Sequence, residues 1–294
     1  MSLNIEQQMQ ENSFIMGSKG GIWVQALGSY SKQKATAKHM GYRNKARGSL
    51  IGIDYKLLPH LFVGMSAGYG LSDVKWDENV TKGDIKHYIS SVYSTWSKKD
   101  FYINGSLSFV QNRIKSRRRI TFATIDRTAD GSHNGYTLAP SLEIGHLFIL
   151  KNGLEIAPFI REDYVYDREE TNEEKNAGAL NLRMKKKAST QLRSEPGINF
   201  YQHFKREDDL ITAKFKISYV NKKPLNNPRI TANLVGQPGS FIASGSNKTQ
   251  HQVSPGIGID YKTESGLFIS TAYDAQLGSK YKAHEISLKV GYRF

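Results

Sequence analysis

The sequence predicts an all-β fold, a transmembrane antiparallel β-barrel of about 12 strands, on three observations. From residue 22 onward, apolar and polar residues alternate with a period of two, as they do in strands with one apolar face. The alternating segments are longer than the roughly five or six residues usual in a soluble sheet. Long polar gaps and short turns follow the segments in alternation, which is typical of barrels that cross an outer membrane. The predicted strands are 22–30, 44–57, 60–72, 82–97, 100–114, 134–149, 153–167, 187–202, 208–221, 249–262, 266–277 and 282–294.

The last predicted strand has the clearest pattern. Its apolar face carries Ile286, Leu288, Val290, Tyr292 and Phe294, and its other face carries charged residues. A barrel of this size has a polar, wet lumen in which charges are tolerated. They either satisfy one another in water or contact a polypeptide held in the pore. The charged residues predicted to line the pore are Arg193, Glu195, Lys214, Lys216, Glu285, Lys289 and Arg293.

The composition agrees with a barrel and excludes several other classes. The mean hydropathy of the 294 residues is −0.51, and no run approaches the roughly 20 apolar residues of a membrane-spanning helix. Cysteine is absent, which rules out disulfides and thiolate chemistry. Residues 1–10 do not have the pattern of a signal peptide, so for an exported protein we expect a mature fragment.

The net charge of +14 raises the question of nucleic-acid binding. The basic residues, however, cluster in or beside the gaps between predicted strands, for example 32–47, 113–119 and 183–187. Solvated loops are the simplest interpretation. Contact with phosphates of outer-leaflet lipid, or with an exported partner, is the alternative. We therefore expect membrane lipid and lipopolysaccharide as partners, and no nucleic acid.

Two features interrupt the strand pattern. Leu3 to Met16 reads as a short polar helix or, equally, as a frayed terminus. We therefore divide the chain into an N-terminal helical or linker segment, 1–21, and a barrel, 22–294. Pro140, Pro196 and Pro255 lie within predicted strands, although proline cannot donate to the ladder. A bulge or a locally unpaired position would resolve this conflict.

No motif indicates an enzyme, a metal site or a cofactor. The eight histidines are scattered, and neither a G-x-S-x-G nucleophile turn nor a phosphate-binding glycine loop is present. His87 with Asp84, and Asp163 with Asp167, are the nearest approach to a catalytic set for a barrel hydrolase. Such neighbours arise by chance in charged segments, so we expect no catalysis, metal or cofactor.

Four segments together resemble the β-domains of autotransporters, the type V secretion proteins. They are Gly21 to Gly28, Gly52 to Tyr55, Gly64 to Tyr69 and Val290 to Phe294, and the resemblance covers roughly 22–294. It implies a monomeric translocator barrel in the outer membrane of a Gram-negative bacterium. An upstream helix would lie in the pore, and an upstream passenger domain would be carried to the cell surface. The family's subset that cuts its own passenger does so between two adjacent asparagines, whereas this sequence has Asn12-Ser13.

The resemblance also implies an assembly signal in the last strand. Leu288, Val290, Tyr292 and Phe294 match the positions read by the outer-membrane barrel-assembly machinery. A structural alternative places the two aromatic rings in the membrane-interface girdle. At the level of the whole protein, the alternative function is a stand-alone surface barrel, either an adhesin or a small porin.

Overall fold

The computed structural model of the protein describes residues 19–37, 39–77, 81–227 and 229–294. The predicted helix from Leu3 to Met16 lies outside these ranges. The described residues form seventeen strands: β1 (Gly20–Gln33), β2 (Tyr42–Leu58), β3 (Leu61–Trp76), β4 (Thr81–Lys98), β5 (Phe101–Phe122), β6 (Ile125–His146), β7 (Phe148–Ile149), β8 (Glu155–Glu169), β9 (Asn172–Glu173), β10 (Leu182–Met184), β11 (Lys187–Arg206), β12 (Asp209–Pro224), β13 (Arg229–Leu234), β14 (Phe241–Ser244), β15 (Gln250–Lys262), β16 (Leu267–Gly278) and β17 (Tyr281–Arg293).

Twelve long strands among these close into an antiparallel barrel. Each pairs with its neighbours in the order β1-β2-β3-β4-β5-β6-β8-β11-β12-β15-β16-β17, and β17 pairs with β1. Closure leaves no strand edge of the barrel unpaired, as a strand wall surrounded by lipid requires. The predicted fold class and strand number are confirmed, and each predicted strand overlaps one barrel strand.

The apolar side chains that a soluble protein would bury lie on the outside of this barrel. Ile51, Met65 and Ile257 are each 60–61% exposed, and similar residues surround the middle of the wall. The inner face carries buried polar and charged side chains instead. This inverted distribution fits a lipid-facing band around a polar interior. No helix in the described part of the chain is long and apolar enough to cross a membrane.

The two rims of the barrel differ in their connections. At one rim, tight turns join β2 to β3, β4 to β5 and β11 to β12. We call this the short-turn rim, and β1 starts there, because Gly20 pairs with Tyr55 near the end of β2. At the opposite rim, residues 170–186 and 225–249 connect barrel strands. Barrels of this class have short periplasmic turns and long extracellular loops, so the opposite rim is the external one.

The sequence predicted a loop at 115–133, between the strands 100–114 and 134–149, and this prediction is wrong. β5 and β6 continue as a paired hairpin up to Phe122 and Ile125, with Ala123 (φ 48°) in its tight turn. The extension is held by cross-strand ion pairs, Arg117 with Asp130 and Arg119 with Asp126, at 3.2 and 2.7 Å. One of its faces is exposed and the other packs against the polar connection 172–181, so a strand here needs no apolar side. The basic cluster 113–119 therefore lies on a strand and is not a loop.

Two of the other long predicted gaps, 168–186 and 222–248, contain a second sheet. β14, β13, β10 and β9 form a four-stranded antiparallel sheet at the external rim. Arg118 on β5 anchors the neighbouring connection through Glu174 (Nη2 to Oε2, 2.5 Å) and the carbonyl oxygen of Leu180 (3.0 Å). The external connections are thus partly ordered by their own pairing.

The three prolines that the sequence placed within strands, Pro140, Pro196 and Pro255, produce local gaps and no bulge. Pro140 pairs with Leu107 on β5, but on its other side the β6–β8 ladder has no partners for residues 139 and 140. The same gap occurs on one side of Pro196, between β11 and β12, and of Pro255, between β15 and β16. The register is unchanged on either side of each gap. The unpaired-position alternative is therefore the one observed, as expected where proline supplies no N–H.

Candidate functional site: the barrel lumen

A chain of buried charges crosses the inner wall, with Arg161 on β8 at its centre. Arg161 pairs with Glu143 on β6 and, at 3.2 Å, with Glu195 on β11. The three side chains are at most 1% exposed. They meet because Glu143, Arg161 and Glu195 are direct cross-strand neighbours in register. Buried charges are stable only when paired in this way.

The chain of contacts continues from Glu195 in both directions. Arg193 joins Glu195 (2.5 Å) to Asp163 (2.6 Å). Ser218 on β12 donates a hydrogen bond to the other oxygen of Glu195, at 2.5 Å. Glu195 therefore accepts from several donors, which compensates for the removal of its carboxylate from bulk water.

Lysines on β12 extend the pairing toward the last strands. Lys216 lies 2.6 Å from Asp274 on β16 and 3.8 Å from Glu195. Lys214 lies 2.5 Å from Asp260 on β15. In the other direction, Asn104 on β5 donates to Glu143 at 3.1 Å. We call this connected set of side chains from β5 to β16 the lumen network.

A second cluster lies across the closing seam between β17 and β1. Trp23 Nε1 donates to the Tyr93 hydroxyl (3.0 Å), and that hydroxyl donates to Asp54 (3.2 Å). Arg293 pairs with the same carboxylate, reaching from β17 past β1 to β2. The ammonium of Lys289 lies 4.7 Å above the Trp23 ring centre. The contacts of the Lys289 ammonium and the Arg293 guanidinium thus tie the last strand to the first strands of the barrel.

Glycines make room for these aromatic rings. Gly52 is the cross-strand partner of Trp23, and Gly64 is the partner of Tyr93. A Cβ atom at Gly52 would overlap the indole, and one at Gly64 would overlap the phenol ring. The glycine–aromatic alternation in the sequence therefore has a packing role at the inner wall.

The external half of the lumen is open and polar. A cavity of about 400 Å³ is lined by Tyr42, Asn44, Ser106, Asp167 and Gln191, among others. Elsewhere on the inner wall, Gln25 Oε1, Ser66 Oγ, Ser91 Oγ and Gln252 Oε1 are buried without a hydrogen-bond partner in the described ranges. The open cavity, lined by amide, hydroxyl and carboxylate groups, suits water or a polar polypeptide.

The residues predicted to line the pore lie on the inner face. Five of them, Arg193, Glu195, Lys214, Lys216 and Lys289, have the buried contacts described above. Arg293 belongs to the seam cluster. Glu285 is half-buried opposite Ser29 and Asp274. The four residues of the predicted assembly signal, Leu288, Val290, Tyr292 and Phe294, are 40–54% exposed on the outer face.

The sequence interpretation missed Glu143, Arg161, Trp23 and Tyr93. Arg161 lies two and four residues after Phe159 and Ala157, which face inward on β8. The alternation of the strand was therefore the signal that could have placed Arg161 on the inner face. Its partners depend on register, which no local pattern reveals.

The catalytic alternatives do not assemble. His87 is buried and hydrogen-bonds to Ser72 (2.8 Å) and Asn112 (2.7 Å). Asp84, the other member of that candidate pair, is exposed on the opposite face of β4. Asp163 is paired with Arg193, and Asp167 accepts from Thr137 at 2.5 Å. Across ranges 19–37, 39–77, 81–227 and 229–294, no group of three His, Asp or Glu side chains is arranged to hold a metal ion.

A closed twelve-stranded barrel with an apolar exterior and a charged interior defines an outer-membrane barrel. The autotransporter β-domain family model matches residues 22–274, and the chain belongs to this family. The protein is therefore a translocator-type barrel of the outer membrane of a Gram-negative bacterium.

Solved structures and curated relatives agree with this assignment. The translocator domain of the autotransporter NalP from Neisseria meningitidis is similar, with a TM-score of 0.75 at 16% identity over 98% of this chain and 94% of that one. The β-domain of the Bordetella autotransporter BrkA gives 0.70 at 16% identity, over 94% and 100%. Outer membrane protein B of Rickettsia typhi is 23% identical over 93% of this chain. The chain spans 17% of that relative's length.

Proposed function

We propose that this barrel anchors an upstream passenger domain in the outer membrane and helps to export it to the cell surface, without enzymatic activity. The observation that carries the proposal is the polar inner wall. It encloses a cavity of about 400 Å³ lined by amide, hydroxyl and carboxylate side chains, and the carboxylates of Glu195 and Asp163 are paired with arginines.

The position of β1 supports a path through the lumen. Gly20 starts β1 at the short-turn rim, so a surface-exposed segment upstream of it has to pass through the barrel. A helix of 14 residues, the length from Leu3 to Met16, would extend about 21 Å at 1.5 Å per residue. The apolar band of such barrels is about 25 Å tall. We therefore propose that Leu3 to Met16, within the predicted N-terminal segment 1–21, lies in the lumen as a helix ahead of the barrel.

An epitope tag fused upstream of residue 1, behind a secretion signal, tests the export path. We expect an antibody to label this tag on intact cells, because the upstream chain emerges at the external rim. As a control, the same tag between Gly236 and Gly239, in the β13–β14 connection, should be labelled whenever the barrel is inserted.

Labelling of the upstream tag only after the outer membrane is permeabilised, with the loop tag labelled on intact cells, would contradict export. It would favour the stand-alone surface barrel, an adhesin or a small porin.

We further propose that the barrel-assembly machinery recognises the last strand through Leu288, Val290, Tyr292 and Phe294. These side chains form an outward row on β17, half exposed. Before the barrel closes, the edge of β17 is a template to which another protein can add a strand. After closure β17 pairs on both sides, which supports a monomer as the working form.

Replacing Phe294 with alanine should lower insertion in cells several-fold while the purified barrel keeps its heat resistance in detergent. Alanine is preferable to a deletion, because the Phe294 backbone joins the seam: its N–H donates to Gly20 O (3.0 Å), and its carbonyl accepts from Lys19 N (2.7 Å). Tyr55→Ala is the control, because Tyr55 is equally exposed (both 54%) at the same rim. Equal loss of insertion in both variants would favour a general role in the aromatic girdle.

A further inference from the structure

One side of the barrel carries a band of cations on its outer face, just beyond the apolar belt. Outward positions of β2 to β5 toward the external rim, as far as Arg117 on β5, hold nine lysines or arginines and two aspartates. We call this set the basic band: Arg43, Lys45, Arg47, Lys75, Lys82, Lys86, Arg113, Lys115 and Arg117, with Asp73 and Asp84 among them.

Aromatic side chains mark the membrane interface directly below the band. Tyr69 and Tyr88 are cross-strand neighbours with ring centres 5.4 Å apart, and Tyr136 continues the row beyond Gln111. Tyrosine gathers at the headgroup level of membranes. Arg113 lies two residues past Gln111, or about 7 Å along the strand, and its guanidinium lies 5.4 Å from the Tyr88 ring centre. The band is therefore at the depth of the outer-leaflet headgroups.

The lowest row of the band places like charges side by side. Lys86 on β4 and Arg113 on β5 are direct cross-strand partners. On the other side of Lys86, its partner on β3 is Leu71, and the partner of Leu71 on β2 is Arg47. Like charges in opposed positions destabilise a sheet. Within the described part of the chain, neither Arg47, Lys86 nor Arg113 has a carboxylate within ion-pair distance. An external anion would relieve this repulsion.

The opposite wall lacks this arrangement at the interface. There, tyrosines hydrogen-bond to histidines, Tyr219 with His251 (2.5 Å) and Tyr273 with His284 (2.7 Å). Lys32 on β1 and Lys282 on β17 continue the row of Arg43 at the external rim, but most of the outward cations are on β2 to β5.

From the charge, depth and one-sidedness of the band, we propose that Arg47, Lys86 and Arg113 form a binding site for a phosphorylated glycolipid of the outer leaflet. Arginine binds phosphate through paired N–H donors and lysine binds it as a point charge. The acyl chains of the same lipid would cover the apolar side chains below, Ile51, Met65 and Val92. The proposal depends on the outer-membrane location and is independent of passenger export.

Native mass spectrometry of the refolded full chain, titrated with bisphosphorylated lipid A, tests the site. The triple variant Arg47→Gln/Lys86→Gln/Arg113→Gln should lose at least tenfold in apparent affinity. The control Arg168→Gln/Lys223→Gln/Lys282→Gln removes the same charge from outward positions of β8, β12 and β17, none of which pairs with a member of the basic band, and it should stay within twofold of the wild type. Equal affinities of the two triple variants would overturn the proposal.

Two further lipid titrations use the unmodified protein, so their results do not depend on how a variant folds. Lipid A stripped of both phosphates should bind at least tenfold more weakly than the bisphosphorylated form. Phosphatidylglycerol, which carries a single charge, should also bind more weakly. Binding that is unchanged without phosphates would assign the contact to the acyl chains, and equal binding of phosphatidylglycerol would show a response to any anionic lipid. Either result would overturn the glycolipid site.

Discussion

Leu107→Arg should abolish most of the folding of this barrel into lipid vesicles. Leu107 lies on the outer face of β5 in a continuous apolar row with Ile53, Met65 and Val92. It is four residues, or about 13 Å, below the level of Tyr88 and Tyr136, near the middle of the apolar band. Arginine at the midplane of such a barrel costs about 2–4 kcal/mol. The fraction folded, read from the heat-dependent gel mobility of the barrel, measures the effect.

The adjacent residue provides the control. Ser106 has the opposite parity on β5 and lines the lumen cavity, where an arginine side chain can remain hydrated. Ser106→Arg should therefore fold into vesicles nearly as well as the wild type. Comparable losses for Leu107→Arg and Ser106→Arg would mean that the two faces of β5 are not in lipid and water as assigned.

Removing the central cation of the lumen network should have the second large effect. Arg161→Met leaves Glu143 without its ion-pair partner at an almost fully buried position. Breaking a buried pair from one side typically costs about 3–5 kcal/mol. We expect a decrease of this size in the free energy of unfolding, measured by urea titration of the detergent-refolded barrel.

Two further variants show whether the stability lost in Arg161→Met comes from the broken ion pair or from the shortened side chain. Glu143→Gln/Arg161→Met removes the stranded charge and should recover much of the stability, because Glu195 keeps its contact with Arg193 at 2.5 Å. Arg119→Met breaks an exposed pair at the hairpin tip and should leave stability unchanged. If Arg161→Met is as stable as the wild type, lumen water screens these charges and the network does not stabilise the wall.

The fold could be predicted from the sequence in those parts of the chain where contact with lipid requires apolar and polar residues to alternate. Strands in contact with lipid must alternate, so the number of strands and the inward parity of Lys214 or Lys289 are visible in the sequence. The β5–β6 extension lies beyond the lipid and packs one face against a polar connection, so both of its faces carry arginines, such as Arg118 and Arg119, and no apolar face marks it as a strand.

The partners within the site were not predictable for a different reason. Trp23 and Tyr93 are 70 positions apart and meet only once the register of four strands is fixed. Register follows from the stagger of the closed sheet, which is a property of the whole barrel. Sequence therefore indicates which residues face inward more readily than which residues meet.

The three proline gaps and the lumen network occupy the same half of the wall. Glu143 and Arg161 bridge β6 to β8, where the ladder is open beside Pro140. Glu195 reaches Ser218 and Lys216 across the β11–β12 gap beside Pro196. Lys216 reaches Asp274 past the β15–β16 gap beside Pro255.

On this half, side-chain ion pairs therefore reinforce interfaces at which the main chain contributes fewer hydrogen bonds, whereas the described ladders from β1 to β6 have no such proline gap. Each proline removes two positions from a ladder that is otherwise paired. We therefore expect side-chain ion pairs to contribute a larger share of the cohesion between strands from β6 to β16 than from β1 to β5.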